Sequence, residues 1–89
     1  MKRYQIGSTV ELTHSKGYKI IGRLGFVDRG VVGIYSYLDR IPVELWTDNS
    51  IEMRVGRDRC GNRDIYKLRV PLDDIEGTLD WRQDFIMVA

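Results

Sequence analysis

The chain has 89 residues and a formal net charge of +1, with 43% hydrophobic and 30% charged residues. This length predicts a single domain, residues 1–89, whose one core buries about 60% of the surface of the unfolded chain. The composition excludes a disordered chain, and no apolar stretch approaches the roughly 20 residues of a membrane-crossing helix. Because the chain has one cysteine and one histidine, we expect no disulfide, no metal site, no cofactor and a cytoplasmic location.

Most segments predict short β-strands, because apolar and polar residues alternate between breaks rich in glycine, aspartate or asparagine. In chain order, the predicted strands cover residues 10–13, 18–27, 31–38, 43–47, 51–55, 65–70 and 85–88. Gly22 and Gly25 indicate a bulge, a bend or a close backbone approach in the second strand. Residues 78–83 predict a helical turn or two. The pattern predicts an all-β fold of about five to six antiparallel strands, with a long hairpin loop at residues 56–64.

Two segments resemble small Src-homology-3-like β-barrels, including those that carry a KOW motif. Residues 7–27, GSTVELTHSKGYKIIGRLGFV, are similar to their opening strand, a basic loop, a Lys-Gly pair and a Gly-x-Val strand. Residues 66–77, YKLRVPLDDIEG, resemble their closing strand, a one-turn helix at residues 71–74 and a last short strand. The resemblance implies a barrel that binds RNA, DNA or protein on its outer faces, with residues 78–89 as a C-terminal extension.

The first candidate contact surface is basic and lies on the hairpin whose strands flank the 56–64 loop. Alternation directs the apolar side chains of both strands to one face and the charged side chains to the other. One register sets Arg54 opposite Lys67 and Glu52 opposite Arg69, and a second register sets Arg54 opposite Arg69. Either register brings like charges together, which destabilises the sheet unless an anion or an acidic partner lies between them. The alternative is a solvated face on which the long side chains splay apart.

The hairpin loop extends this basic surface with Arg57, Arg59 and Arg63. Guanidinium groups bind phosphates or carboxylates through two parallel hydrogen bonds. The alternative is a self-neutralised loop, in which Asp58 and Asp64 pair with the neighbouring arginines. Loops that protrude from a small rigid barrel often carry binding residues. The loop is therefore the leading candidate for a contact with a partner.

The second candidate surface is aromatic. Alternation predicts Tyr35 and Tyr37 on the outer face of the strand at residues 31–38, and Trp46 on the outer face of the next strand. Pairing of these two strands across a tight turn sets Tyr35 opposite Trp46. Exposed rings of this kind form stacking platforms for bases or hot spots for proteins. The alternative is a small second core in which residues 81–85 cover the rings, and a homodimer interface would cover them equally well.

The remaining chemistry-bearing residues lack partners in the sequence pattern. His14 lies in a polar segment near Lys16 and is predicted to be exposed, without a Ser, Cys or Asp partner. Cys60 is predicted to be an exposed, incidental thiol, although nearby arginines favour its thiolate. The acidic turn at residues 73–76 is predicted to cap and solubilise the chain, with no basic or histidine partner. Since no phosphate loop or nucleophile elbow occurs, we expect no enzymatic activity.

These observations favour a non-catalytic binding module that engages a protein partner, in an inhibitory or regulatory role, through the basic hairpin loop and the aromatic face. Separated basic and acidic segments at near-zero net charge suit an oriented protein contact. The alternative function is nucleic-acid binding, in which cations track phosphates and rings stack bases. A small-molecule ligand and a homo-oligomer stay open, and no membrane partner is expected. The candidate contact residues are Arg54, Arg57, Arg59, Arg63, Lys67, Arg69, Tyr35, Tyr37 and Trp46.

Overall fold

Seven β-strands and three short 3-10 helices make up the described part of the chain. The computed structural model describes residues 4–76 and 85–86. The strands are β1 (Tyr4–Gln5), β2 (Thr9–Thr13), β3 (Lys19–Asp28), β4 (Val31–Ser36), β5 (Glu52–Arg57), β6 (Asp64–Pro71) and β7 (Phe85–Ile86). The 3-10 helices span Leu38–Arg40, Val43–Thr47 and Leu72–Asp74. Within the described residues, every helix is too short and polar to reach across a bilayer.

Five antiparallel strands form one sheet in the order β2-β3-β4-β6-β5. The first three strands of this sheet form a meander, in which each strand pairs with the next one along the chain. The chain then passes through two 3-10 helices and returns as the β5–β6 hairpin, whose second strand pairs with β4. A separate parallel pair joins β1 to β7. The prediction of an all-β fold with five to six antiparallel strands is therefore confirmed.

The two edges of the five-stranded sheet differ. At the β2 edge, His14 forms an antiparallel bridge with Ile75, and the backbone N–H of Glu76 donates to the carbonyl of Thr13 at 2.8 Å. This return follows the 3-10 helix at Leu72–Asp74, and it agrees with the one-turn helix and last short strand that the barrel resemblance implies. At the β5 edge, none of the described residues forms a further strand pair.

The core lies on one face of the sheet, as the alternation predicts. Cross-strand pairing places Leu24, Ile34, Leu68 and Met53 side by side in one row across four strands. The first three of these side chains are almost completely buried, and each contributes about 1.5–3 kcal/mol of hydrophobic stabilisation. The buried apolar residues are Val10, Leu12, Ile20, Leu24, Val32, Ile34, Ile41, Leu45, Ile51, Leu68, Val70 and Ile75. Every strand of the sheet except β5 contributes to this set.

The predicted strand at residues 43–47 is wrong, because these residues form a 3-10 helix. Pro42 has no N–H to donate to a strand ladder, and its carbonyl accepts the N–H of Leu45 at 3.0 Å, which starts the turn. The side chain of Leu45 is buried in the core, whereas Val43 and Trp46 are 74% and 44% exposed. The preceding strand ends at Ser36, earlier than predicted.

Some predictions concern the end of the chain. The helical turn at residues 78–83 lies outside the described residues. The segment at residues 81–85, which would cover the aromatic face, lies outside them except for its last residue. Of the strand predicted at residues 85–88, the structure describes Phe85–Ile86 as β7.

Candidate functional site

The β5–β6 hairpin adopts the first of the two predicted registers. Arg54 lies opposite Lys67, and Glu52 lies opposite Arg69. The Glu52 carboxylate is 2.7 Å from Nε of Arg54 and 3.8 Å from Nε of Arg69. The hydrogen bond from Arg54, with the charges of Arg54 and Arg69, lowers the pKa of Glu52 below its usual value. The hairpin therefore presents a net positive face, in which Arg54 and Lys67 are like-charged neighbours.

The outer face of the sheet carries two rows of cross-strand neighbours. The first row extends the Arg54–Lys67 pair across all five strands, and the second row lies next to it. Consecutive members of the first row are Thr9, Arg23, Tyr35, Lys67 and Arg54. Consecutive members of the second row are Phe26, Gly33, Arg69 and Glu52. Strand pairing therefore brings aromatic and cationic side chains together on one face.

Two aromatic rings of this face rest against glycines of the neighbouring strand. A Cβ atom on Gly25 would lie 2.0 Å from the Tyr35 ring, and one on Gly33 would lie 2.1 Å from the Phe26 ring. The register of β3 shifts between Leu24 and Phe26, which confirms the predicted irregularity at Gly25. The rings therefore occupy space that larger residues would fill, and both are only half-buried.

Each outer ring has a cation near it. The Cζ atom of Arg63 lies 3.8 Å from the centroid of the Tyr37 ring. The Nζ atom of Lys67 lies 5.8 Å from the Tyr35 centroid, and Cζ of Arg69 is at the same distance from Phe26. Such pairs contribute about 0.5–1 kcal/mol each at exposed sites. We call this arrangement the cation–aromatic ladder, and its members are Phe26, Tyr35, Tyr37, Arg63, Lys67 and Arg69.

A groove of about 360 Å³ lies where the 56–64 loop meets this outer face. Tyr35 and Tyr37 line the groove, together with the three arginines Arg23, Arg40 and Arg59. Over the described part of the chain, no carboxylate forms an ion pair with any of these arginines. The groove therefore combines aromatic surface with cations that are available to an anionic ligand.

Within the 56–64 segment predicted as a loop, β5 continues to Arg57 and β6 begins at Asp64, so the loop itself is shorter than predicted and covers residues 58–63. Hydrogen bonds to its own backbone hold this loop. One carboxylate oxygen of Asp58 accepts the N–H groups of Cys60 and Asn62 at 3.1 and 3.0 Å. The guanidinium of Arg57 donates to the carbonyl of Gly61 at 3.1 Å. The self-neutralised loop would require ion pairs between its aspartates and its arginines, and the described residues form none of them. Asp58 therefore shapes the loop without pairing with an arginine. It also lines the groove, which holds three arginines against this one carboxylate.

The structure does not bring Trp46 together with Tyr35 and Tyr37. Tyr35 lies opposite Lys67 of β6, so the predicted pairing of Tyr35 with Trp46 is wrong. Trp46 lies on a 3-10 helix and packs edge-on against Tyr66, with ring centroids 5.4 Å apart and an interplanar angle of 76°. Since the expected second strand is absent, the two tyrosines join the basic surface. The tyrosines of the predicted aromatic surface thus lie in one groove with basic residues, and Trp46 lies apart from them against Tyr66.

The sequence interpretation missed three residues of this face, namely Arg23, Arg40 and Phe26. Alternation along β3 indicates an outward position for Arg23, next to the inward Leu24. Phe26 escapes the same argument, because the irregularity at Gly25 shifts the alternation by one residue. Arg40 lies on a 3-10 helix, whose position strand alternation does not predict.

His14 is fully buried, so the prediction of an exposed residue is wrong. Its ring stacks on Tyr18 at 4.5 Å, and its Nδ1 accepts the N–H of Lys16 at 3.1 Å. Its Nε2 forms no hydrogen bond with the described residues and lies 3.8 Å from a carboxylate oxygen of Asp74. The acidic turn therefore has a histidine neighbour that was not expected. His14 follows Val10 and Leu12 at the same spacing of two, which is the signal that indicates its inward position.

Asp48 anchors a hydrogen-bonded cluster beside His14. Its carboxylate accepts Nζ of Lys16 at 2.9 Å, the N–H and Oγ of Ser50 at 2.8 and 2.5 Å, and the hydroxyl of Tyr18. Hydrogen bonds from Ser50, Tyr18 and Lys16 hold the pKa of Asp48 well below its usual range. Burial, followed by the hydrogen bond to Asp48, raises the pKa of Tyr18. The cluster thus ties the β2–β3 turn to the loop before β5.

Other candidate chemistry is limited. Among residues 4–76 and 85–86, no three His, Cys, Asp or Glu side chains come together as a metal-ligand set. Cys60 is exposed, as predicted, and lies at the groove. The chain matches no family model, no curated protein and no solved structure. The groove and the cation–aromatic ladder are therefore the features of the described residues that indicate a function.

Proposed function

We propose that the protein is a non-catalytic binding module that takes single-stranded nucleic acid on the outer face of its sheet. The observation that carries this proposal is the groove, in which Arg23, Arg40 and Arg59 accompany Tyr35 and Tyr37. Guanidinium groups bind phosphates through forked hydrogen bonds, and aromatic side chains stack on unpaired bases. The groove therefore offers arginines for the phosphates of a nucleotide chain and tyrosines for its bases.

The charges next to the groove also support this proposal. Arg54 and Lys67 lie directly opposite each other, and like charges in this arrangement favour an anion between them. A phosphate backbone passing along the first row would meet Arg23, Lys67 and Arg54 in turn. The half-buried rings of Tyr35 and Tyr37 leave surface for stacking, which bases of a single strand can use and bases inside a duplex cannot.

The test is a titration of a labelled single-stranded oligonucleotide, RNA and DNA in separate arms, over a range of salt concentrations. Binding should weaken by orders of magnitude between low and moderate salt, because phosphate contacts release counterions. The double variant Arg23→Ala/Arg59→Ala should lower the slope of log K against log salt by about 1.4, since each phosphate contact contributes about 0.7 for single strands. Tyr35→Leu should weaken binding by about 1–3 kcal/mol at an unchanged slope.

A matched control is Arg29→Asn in the β3–β4 turn, at the end of the sheet away from the groove. It removes one positive charge, and asparagine tolerates the positive φ of 49° at this position. The control should lower affinity less than either groove variant. Absence of binding to RNA and DNA at low salt by the folded protein would contradict the proposal.

A protein partner is the second candidate, and the first two 3-10 helices favour it. Leu38, Val43 and Trp46 on these helices are 53%, 74% and 44% exposed, and exposed apolar side chains of this kind serve as anchors for proteins. The test is affinity capture from a lysate after nuclease treatment. A protein that the wild type retains and the Trp46→Ala variant loses would support this function. Nucleic acid would be supported if captured material were found only without nuclease and were lost with Arg23→Ala/Arg59→Ala.

A further inference from the structure

The β5 edge of the sheet has the features of a strand-pairing interface. β5 pairs with β6 on one side, and no described strand pairs with it on the other. An edge strand without a neighbour presents a row of unpaired N–H and C=O groups. The opposite edge, at β2, is partly paired through the His14–Ile75 bridge. The two edges are therefore not equivalent, and among the described strands β5 is the one with an open edge.

The side chains of β5 add an apolar component to this edge. Val55 is 63% exposed although it lies on the same side of the sheet as the core, opposite Tyr66. An exposed strand edge with an apolar side chain attracts another strand, and monomeric proteins usually protect such an edge with charge, proline or a bulge. β5 has neither a proline nor a register shift. Its three charged residues, Glu52, Arg54 and Arg57, are of both signs, so a suitably placed second strand can pair with them instead of being repelled.

We propose that β5 pairs with β5 of a second copy of this chain, antiparallel and about a two-fold axis at Met53. In this register, Glu52 of each copy lies opposite Arg54 of the other. Val55 then lies opposite the partner's Ile51, which precedes β5 and is buried in its own core, so the exposed Val55 comes beside the apolar side of the second sheet. The interface uses the edge of the sheet and goes beyond the proposed function of the groove.

Charge selects this register from its neighbours. In a two-fold antiparallel pair, facing residues must lie on the same side of the sheet. The axis therefore passes through a residue, and each alternative register places it at another residue of the strand. An axis at Arg54 would set the two copies of Arg54 opposite each other, and an axis at Glu52 would do the same for Glu52. Of these three axes, only the one at Met53 opposes unlike charges, and it gives Arg54 a second carboxylate neighbour besides Glu52 of its own chain.

The charge test uses three variants in sedimentation velocity over a concentration series. The wild type should form a dimer as its concentration rises. Glu52→Arg and Arg54→Glu should each be monomeric at the same concentrations, because each places two like-charged pairs across the axis. The double variant Glu52→Arg/Arg54→Glu should regain the dimer, because both pairs are reversed and attractive again. Thermal unfolding of all three variants serves as the control for folding.

A second measurement tests the position of the axis. In the background Cys60→Ser, the substitution Met53→Cys places two thiols directly opposite, where antiparallel Cα atoms are about 4.5–5.5 Å apart and a disulfide can form. Mild oxidation should crosslink this variant. The matched variant Val55→Cys, whose two copies lie apart, should crosslink much less. A wild type that stays monomeric, a dimer that survives both single charge substitutions, or equal crosslinking at the two positions would each overturn the proposal.

Discussion

Charged side chains serve two opposite purposes in the Asp48 cluster and in the groove. The side chain of Asp48 is only 3% exposed, and its carboxylate has partners in Lys16, Tyr18 and Ser50. In the groove, the described residues provide no ion pair for Arg23 or for the other two arginines. The Asp48 carboxylate is shielded and satisfied by partners within the protein, whereas the groove arginines are presented to solvent.

This difference follows from the cost of removing charge from water. A buried carboxylate requires several donors, because an unpaired charge in the interior costs several kcal/mol. An exposed arginine keeps its hydration and needs no partner for stability. Substitutions at the cluster should therefore affect folding more than binding, and those at the groove should do the reverse.

The largest effect is expected for Asp48→Ala. It leaves the hydroxyl of Tyr18 and the N–H of Ser50 without their acceptor, and should lower the free energy of unfolding by about 3 kcal/mol. Urea unfolding measures the loss. The control Asp28→Ala, at the exposed end of β3, should stay within about 0.5 kcal/mol of the wild type. Loss of oligonucleotide affinity in the folded Asp48→Ala protein would contradict the separation of the two regions.

The next effect is expected for Gly25→Val, a substitution beside the Tyr35 ring of the groove that should affect both folding and binding. Its new Cβ would meet the Tyr35 ring at 2.0 Å, so the ring must leave its position. We expect a loss of about 2 kcal/mol in the free energy of unfolding and weaker oligonucleotide binding. Gly61→Asn is the matched control, since Gly61 has a positive φ of 71° and open space around it. Unchanged binding by Gly25→Val would show that the position of the Tyr35 ring is unimportant.

At both low and high pH, the change in the free energy of unfolding with pH should come from the Asp48 cluster. Because the folded pKa of Asp48 is lowered, its contribution is complete above its unfolded pKa of about 3.9 and is lost as pH falls. Because the folded pKa of Tyr18 is raised, its contribution is complete below about 10 and is lost as pH rises further. In urea unfolding across pH, Asp48→Asn should flatten the acid limb and Tyr18→Phe the alkaline limb. If the two variants kept the pH dependence of the wild type, its assignment to Asp48 and Tyr18 would be wrong.

The smallest effect is expected for Asp39→Asn at the rim of the groove. Asp39 lies 3.4 Å from the guanidinium of Arg63, which also stacks on Tyr37. Removing this carboxylate frees Arg63 for a phosphate, so the salt slope of binding should steepen by about 0.7 without a change in the melting temperature. Asp28→Asn at the far end of β3 serves as its control, and an equal change there would point to net charge alone.

The sequence predicts the sheet better than the segments outside it. The inward row of Leu24, Ile34 and Leu68 follows from alternation, because a strand with one buried face must repeat every two residues. The length of the loop and the parity of its strands reduced the hairpin register to two choices, and the structure adopts the first of them. Within the site, the outward positions of Tyr35 and Lys67 were predictable for the same reason.

Residues 43–47 and His14 were less predictable. A five-residue segment with alternating apolar residues fits a strand and a 3-10 helix equally well. Here the deciding factors were Pro42 and a space in the core that Leu45 fills, and only the folded chain supplies that space. His14 is polar and lies in a polar segment, which favours an exposed position. Its burial goes with its stacking against Tyr18. The groove itself depends on a distant contact, because the 56–64 loop meets the outer face across the sheet.

The glycines beneath the rings have a consequence for the kinetics of binding. Tyr35 and Phe26 rest against Gly25 and Gly33 before any ligand arrives, so binding need not immobilise them. Side chains ordered in advance avoid an entropic cost of about 0.5–1.5 kcal/mol each. Encounter with a polyanion depends on the exposed cations and on ionic strength. Substitutions at the arginines should therefore slow association, whereas substitutions at the two glycines should shorten the lifetime of the complex.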